Sequence, residues 1–410
     1  MNHAPGPLAG VAVLDFSRVV AGPYCTMLLG DDGADVVKIE RPGAGDDTRE
    51  WGPPFVGGES AYYLAINRNK RSIAIDLQNA AGHNLALDLA ARADVVVENF
   101  RVGTMERLGL GYATLAERNP RLIYCGISGF GPKGPRRDQA GFDLMVQAFG
   151  GMMSVTGHPD GPPAKAAVPL LDIATGLTAH GAICAALYGR EGSGRGQRID
   201  LSLFATQIGI LMNAAGDYLL AGKVMGRMGT AHPSIVPYQS FAARDGYLII
   251  AAPNDRLFAR LAQALGHPEW PDDPRFATNA GRVAYRDTLV AAIEAATRQR
   301  DVAEWVAALE PLGIPATPIN SVDRALDDPQ VDALELVRAV DHPTAGPIRL
   351  PGPFVQFDGA PPPIRRTPPL LGEHTVAVLR EWLGLDAARI ERLRAAGAIA
   401  QAEQGQRAEG

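Results

Sequence analysis

An open, mainly parallel α/β sheet joined to a smaller α+β unit is the fold class this sequence predicts, and three observations predict it. Short apolar, β-branched runs alternate with helical patterns through the first half of the 410 residues. That alternation stops after about residue 205, where helical patterns gather around one strand signal. Pro-rich chain over 348–369 then leads into two closing helices. Strands separated by helices pair in parallel through crossovers, whereas helices grouped around a strand read as a separate α+β unit.

In chain order, the strand signals are residues 11–16, 35–39, 72–77, 94–99 and 122–126, rich in Val and Ile. β-branched side chains suit the pleated, packed surface of a sheet. Helices are expected over 80–93 and 105–118, between those strands. The glycines of 192–196 form a hairpin-like turn before a strand at 197–201. A helix over 207–220 leads to a strand over 245–250, and helices over 256–265, 286–298 and 303–312 complete the smaller unit. Residues 348–369 read as polyproline or edge structure, because each Pro biases its predecessor to extended backbone. Helices over 373–383 and 386–395 close the chain, and residues 404–410 are expected to fray. In open parallel sheets ligands bind beyond the carboxyl ends of the strands. The loops at 16–23, 40–49 and 99–103 are therefore the ones to carry a site.

Composition removes several function classes. A net charge of −6, with acidic and basic residues interspersed, argues against a nucleic-acid surface or a polybasic membrane patch. Cys25, Cys125 and Cys184 are odd in number, lack C-x-x-C spacing and sit in apolar runs, so they read as reduced core residues, with no disulfide framework and no zinc site. The N-terminus lacks a charged region followed by an apolar one, and no run of 18 apolar residues occurs. A soluble, cytoplasmic protein with no nucleic-acid or membrane partner is expected.

Chemistry concentrates at Asp172, where the apolar run Ala166-Ala167-Val168-Pro169-Leu170-Leu171 ends on a carboxylate and a helix-forming stretch follows. At a strand-to-helix corner the unpaired N–H groups of the helix start can keep that carboxylate ionised, as a nucleophile requires. The same position suits an ordinary N-cap. Gly129-Phe130-Gly131-Pro132-Lys133-Gly134 matches G-x-G-x-x-G only formally, since Pro132 and Pro135 prevent a helix from opening there. A turn or a flexible loop over a ligand is the reading. Arg18, Lys38, Arg41, Arg49 and the run Asn67-Arg68-Asn69-Lys70-Arg71 place cations at or near the expected loops, enough for a phosphate-bearing ligand if they cluster. His180 lies inside an apolar helix and has no second His at metal-ligand spacing.

Taken together, Asp15-Phe16-Ser17-Arg18-Val19-Val20-Ala21-Gly22-Pro23, Lys38-Ile39-Glu40-Arg41-Pro42-Gly43, Asn69-Lys70-Arg71-Ser72, Glu98-Asn99-Phe100-Arg101, Gly141-Phe142-Asp143 and the Asp172 corner resemble the family III CoA-transferases and the related α-methylacyl-CoA racemases. The resemblance spans about residues 8–398. It implies a large Rossmann-like domain built from both chain ends, residues 1–205 and a return segment 321–410. A linker at 206–230 and a small α+β domain at 231–320 lie between them. It also implies a homodimer of two interlocked rings. Asp172 falls where the family carries its nucleophile. The CoA site falls on Val19, Val20, Ala21, Arg41, Ser72, Asn99, Phe100 and Arg107, with Phe142 and Asp143 beside it. Coenzyme A is then a substrate, and no tightly bound cofactor or metal is implied.

Two rival readings accompany this one. The racemases carry His where Phe142 stands, because moving an α-proton needs a base on each face, and Phe142 cannot accept a proton. A CoA-binding protein without activity is the other. Within the transferases, residues 41–57, His232-Pro233-Ser234-Ile235-Val236-Pro237-Tyr238-Gln239 and Pro368-Pro369-Leu370-Leu371-Gly372-Glu373-His374-Thr375 are similar to the succinyl-CoA:glutarate group. A dicarboxylic acceptor is therefore expected, with Arg49, or second Arg68, meeting its distal carboxylate.

Overall fold

The structure, a computed structural model, describes residues 6–401, so the C-terminal tail expected to fray lies outside it. A seven-stranded sheet is its main element. Six parallel strands, β1 (Ala12–Asp15), β2 (Asp35–Glu40), β3 (Lys70–Ile75), β4 (Val95–Glu98), β5 (Ile123–Ser128) and β6 (Arg198–Ser202), lie in the order 3-2-1-4-5-6. Ile399–Ala400 adds antiparallel to the β3 edge. Successive side chains leave a strand on opposite faces. Leu14, Val37, Val96 and Tyr124 pack on one side with helices Ala80–Arg92, Thr375–Leu383 and Ala387–Ala395. Val13, Val36, Val95, Val97 and Cys125 pack on the other with α1 (Ala21–Asp31) and a long helix, Leu170–Ser193. Because both faces are covered, the strands read as continuous Val and Ile runs.

Two compact units are present. The sheet unit runs to Met152, resumes at Ala166–Leu219 and returns from Pro329. The smaller unit takes Met153–Lys165 and Leu220–Asp328, a wider span than the 231–320 expected. Its antiparallel sheet, β7 (Tyr238–Ala242), β8 (Tyr247–Ala251) and β9 (Ala316–Pro318), packs Phe241, Leu248 and Ile250 against helices carrying Phe258, Leu261, Leu289, Ile293 and Trp305.

Several local expectations fail for identifiable reasons. The helix expected over 105–118 is two, Thr104–Arg107 and Tyr112–Arg118, parted where Gly109 turns left-handed at φ 66°. Residues 207–220 likewise divide between Leu203–Ile210 and Met212–Ala221. Gly192 to Gly196 is not hairpin-like: Gly194, at φ 68°, ends the long helix and the chain enters a parallel strand. Part of the Pro-rich return is a strand, Gly346–Pro351, paired with an unforeseen one, Val337–His342. Its prolines sit in a two-stranded ribbon, where a missing N–H faces away from any further partner. The run 166–171 is no strand, since the helix already begins at Leu170.

Candidate active site

The strand order reverses between β1 and β4, and crevices form where the loops beyond such a switch point part to opposite sides. A cavity of about 390 Å³ opens there, walled by the loops after β1, β4 and β5 and by the N-terminal turns of α1, α2 (Asp143–Phe149) and α3 (the long helix Leu170–Ser193). Val19, Val20, Ala21, Asn99, Phe100, Phe142 and Asp172 all line it. A second cavity of about 540 Å³, with Arg41 on its wall, shares Arg18, Phe100 and Thr104 with the first. The two cavities therefore adjoin.

The loop after β1 is held from both sides. Asn99 accepts the Arg18 N–H at 2.8 Å and donates to the Arg18 carbonyl at 2.6 Å. Asp46 accepts the Val19 N–H at 3.2 Å, with Val19 at φ 69°, a left-handed conformation that a β-branched residue adopts only when its surroundings compel it. Asp46 is in turn fixed by Thr48 and by the buried Lys38 ammonium at 2.8 Å, which also donates to the Ser17 carbonyl. This clamping leaves the Val20, Ala21 and Gly22 N–H groups without acceptors among the described residues at the uncapped start of α1.

Asp172 is the third residue of α3, not its cap and not at the end of a strand. The cap function belongs to Asp143, whose carboxylate accepts Leu171 N–H at 2.7 Å and Asp172 N–H at 3.4 Å, while its other oxygen takes the Gln147 amide at 2.6 Å. α3 is brought against α1 at Gly176, where a Cβ would stand 2.8 Å from the Ala21 carbonyl. The Asp172 carboxylate itself has no ion pair or hydrogen bond among the described residues. Burial, and secondly the Asp143 charge, push it up to about 7. The expectation that helix N–H groups would keep it readily ionised is thus corrected, because Asp143 occupies those groups. α3 is apolar and long enough to cross a membrane by length and composition, yet its Leu171, Ala179, Ile183 and Leu187 pack into the sheet's core.

The remaining expected positions divide. Arg107 is exposed and donates to Thr104, a residue on both cavity walls. Ser72 is fully buried between Glu40 and the Gly372 N–H, directly behind Glu40 on the wall of the second cavity. Arg49 is already committed: its fork closes on Glu40 at 2.7 and 2.8 Å, it donates to the Tyr63 hydroxyl and the Pro369 carbonyl, and it stacks on the Tyr63 ring. Arg68 is equally committed, to Asp31 and the Pro351 carbonyl, at 2% exposure. Both anchor the body of the unit. Neither borders the cavity. What the sequence reading missed is α1, whose apolar residues carry no polar periodicity, and Arg137, which reaches the cavity wall from the loop after β5.

The family model for CoA-transferase family III matches residues 8–375, and the chain belongs to that family. It is a CoA-transferase, acting on CoA thioesters. The mouse succinyl-CoA:glutarate CoA-transferase is 45% identical over 97% of this chain and 91% of that protein. The succinate–glutarate CoA-transferase of Agrobacterium fabrum is 44% identical over 93% of this chain and 96% of its own length. A crystal structure of a CaiB/BaiF family protein from Brucella suis superposes with a TM-score of 0.83 at 44% identity, covering 92% of this chain and all of that one.

Proposed function

We propose that this enzyme moves CoA from succinyl-CoA to a dicarboxylic acid such as glutarate, with Asp172 as the covalent carrier. The relatives' activities support the substrates. The observation carrying the mechanism is an unpaired carboxylate on the wall of the switch-point cavity. Asp172 attacks the donor thioester carbonyl, giving a mixed anhydride and CoA thiolate. The thiolate attacks the Asp172 carbonyl, releasing succinate and leaving an aspartyl-CoA thioester. The acceptor carboxylate attacks that thioester, and the same steps in reverse deliver its CoA ester. The free N–H groups at the start of α1 suit the oxyanions, since the start of α3 is occupied by Asp143. The nucleotide end of CoA takes the second cavity, toward Arg41.

Phe142, 63% exposed, puts hydrocarbon where a racemase needs its second base, and neighbouring Asp143 is spent on the α3 backbone. Arg49 and Arg68 are committed elsewhere, and of the cavity-wall arginines Arg18, Arg101 and Arg137 we assign Arg137 to the acceptor's distal carboxylate: its ion pair among the described residues is a 3.5 Å contact with the exposed Asp138. Tyr188, Met212 and Leu219, at 86%, 73% and 77% exposure, are large apolar groups left to solvent by a single chain and support a homodimer, Rossmann-like in each large domain and intertwined as in the resemblance.

Incubation with succinyl-CoA and a panel of carboxylic acids, read by mass detection of new acyl-CoA species, tests the reaction. Intact-protein mass after succinyl-CoA alone should show CoA added to Asp172. No new acyl-CoA from any dicarboxylate would overturn the proposal. Arg137→Met should lower transfer to glutarate by about tenfold or more while sparing a monocarboxylate of similar length.

A further inference from the structure

Two turns beyond Asp172 on α3, three potential metal donors of different chemistry converge. His180 Nε2 lies 2.7 Å from Asp32 Oδ2 and 3.8 Å from Cys184 Sγ, and the three donor atoms fall within 4.8 Å of one another. His180 and Cys184 are four residues apart, so they share one helix face. Asp32 comes from the residue that ends α1, and lies 148 positions away in the sequence, which is why spacing gave no hint of a site. The cluster is half-buried: the side chains of His180 and Asp32 retain 24% and 13% exposure, enough for an ion to enter and keep a water.

We propose that Asp32, His180 and Cys184 form a site for a divalent transition-metal ion, zinc by its ligand set, which pins the C-terminal end of α1 to α3. One imidazole nitrogen, one thiolate and one carboxylate oxygen form the mixed donor set that zinc takes, with a fourth position left for water. Tetrahedral zinc at ordinary bond lengths separates nitrogen from sulfur by about 3.6 Å and nitrogen from oxygen by about 3.4 Å. The sulfur is already near that spacing. The Asp32 contact needs to open by under about 1 Å as the ion replaces the proton in the hydrogen bond. Asp32 and Cys184 both approach the same His180 nitrogen, the arrangement that lets one ion take all three donors.

The position matters because α1 and α3 are the helices whose opposite ends build the reaction cavity. Asp172 and His180 lie eight residues, roughly 12 Å, apart along α3, so the ion is a fastener and not a participant in acyl transfer. Binding to the folded state alone raises stability as the free ion exceeds its dissociation constant.

Cobalt titration of the chelator-treated, tag-free protein tests this. One cobalt per chain is expected, with a thiolate-to-metal charge-transfer band. Cys184→Ser should remove the band, and His180→Asn should weaken binding at least tenfold, while CoA transfer by both metal-free variants stays at the metal-free wild-type rate and so reports folding. Zinc should raise the unfolding temperature of the wild type and of neither variant. In the unaltered protein, zinc should slow alkylation of Cys184 and chelator should restore it. Absence of the band in wild type, or a band that survives Cys184→Ser, would overturn the site, and so would unchanged Cys184 alkylation with zinc.

Discussion

Two groups of carboxylates lie within one unit and meet opposite surroundings. Beneath the loop after β1, Asp15, Glu40 and Asp46 are buried with Lys38, Lys70 and Arg49 as direct partners. At the start of α3, Asp143 and Asp172 are neighbours with no cation in contact among the described residues. Burial alone would raise Asp15, Glu40, Asp46 and Asp172. Lys38 and the Thr48 hydrogen bonds instead hold Asp46 down to about 2, whereas Asp172, unpaired, stays up at about 7. The paired set builds a rigid floor and orients the loop. In the proposed mechanism the unpaired carboxylate is the reactive one, and the fold bears its cost.

The largest test of this contrast is chemical. Asp172→Asn should cut CoA transfer by roughly 10³-fold or more and abolish the covalent CoA adduct, with the circular dichroism spectrum unchanged. Wild-type turnover in that variant would return Asp172 to a structural role. Next in size, Lys38→Met leaves Asp46 buried without its partner and should destabilise the protein by about 3–5 kcal/mol, read from the denaturant midpoint.

The two groups also predict opposite pH responses. Asp46, held below its ordinary value of 3.8, contributes stability that is complete above that value and lost as pH falls through about 2. Asp172, held above 3.8, takes up a proton more readily folded than unfolded, so stability falls as pH rises from about 4 through 7. Asp172→Asn should therefore stabilise the inactive protein by about 1–3 kcal/mol at pH 8 and by little near pH 4, measured as a shift in thermal midpoint at each pH. A smaller effect sharpens the cause. Transfer by the wild type should rise with pH through about 7 as Asp172 ionises, and Asp143→Asn, by removing the neighbouring charge, should move that limb to lower pH by about half to one unit. An unmoved limb would assign the shift to burial alone.

What the sequence determined by itself is the local and the repeated. Val and Ile runs set most strands of the main sheet, helical periodicity set the helices of the smaller unit, and the switch-point rule named the loops at 16–23, 40–49 and 99–103 that flank the two cavities. The ordered motifs pointed to the CoA-transferase family. What only the tertiary structure decided is which partner each charge found. Arg49 and Arg68 stand in sequence like ligand-binding cations, yet Glu40 and Asp31, brought to them by the sheet, consume both. Asp172 looked like a carboxylate eased by a helix start, until Asp143 arrived from 29 residues away and took its N–H groups. Propensity and periodicity act over a few residues, whereas an electrostatic environment is a sum over neighbours in space. Those neighbours exist only once the chain has folded.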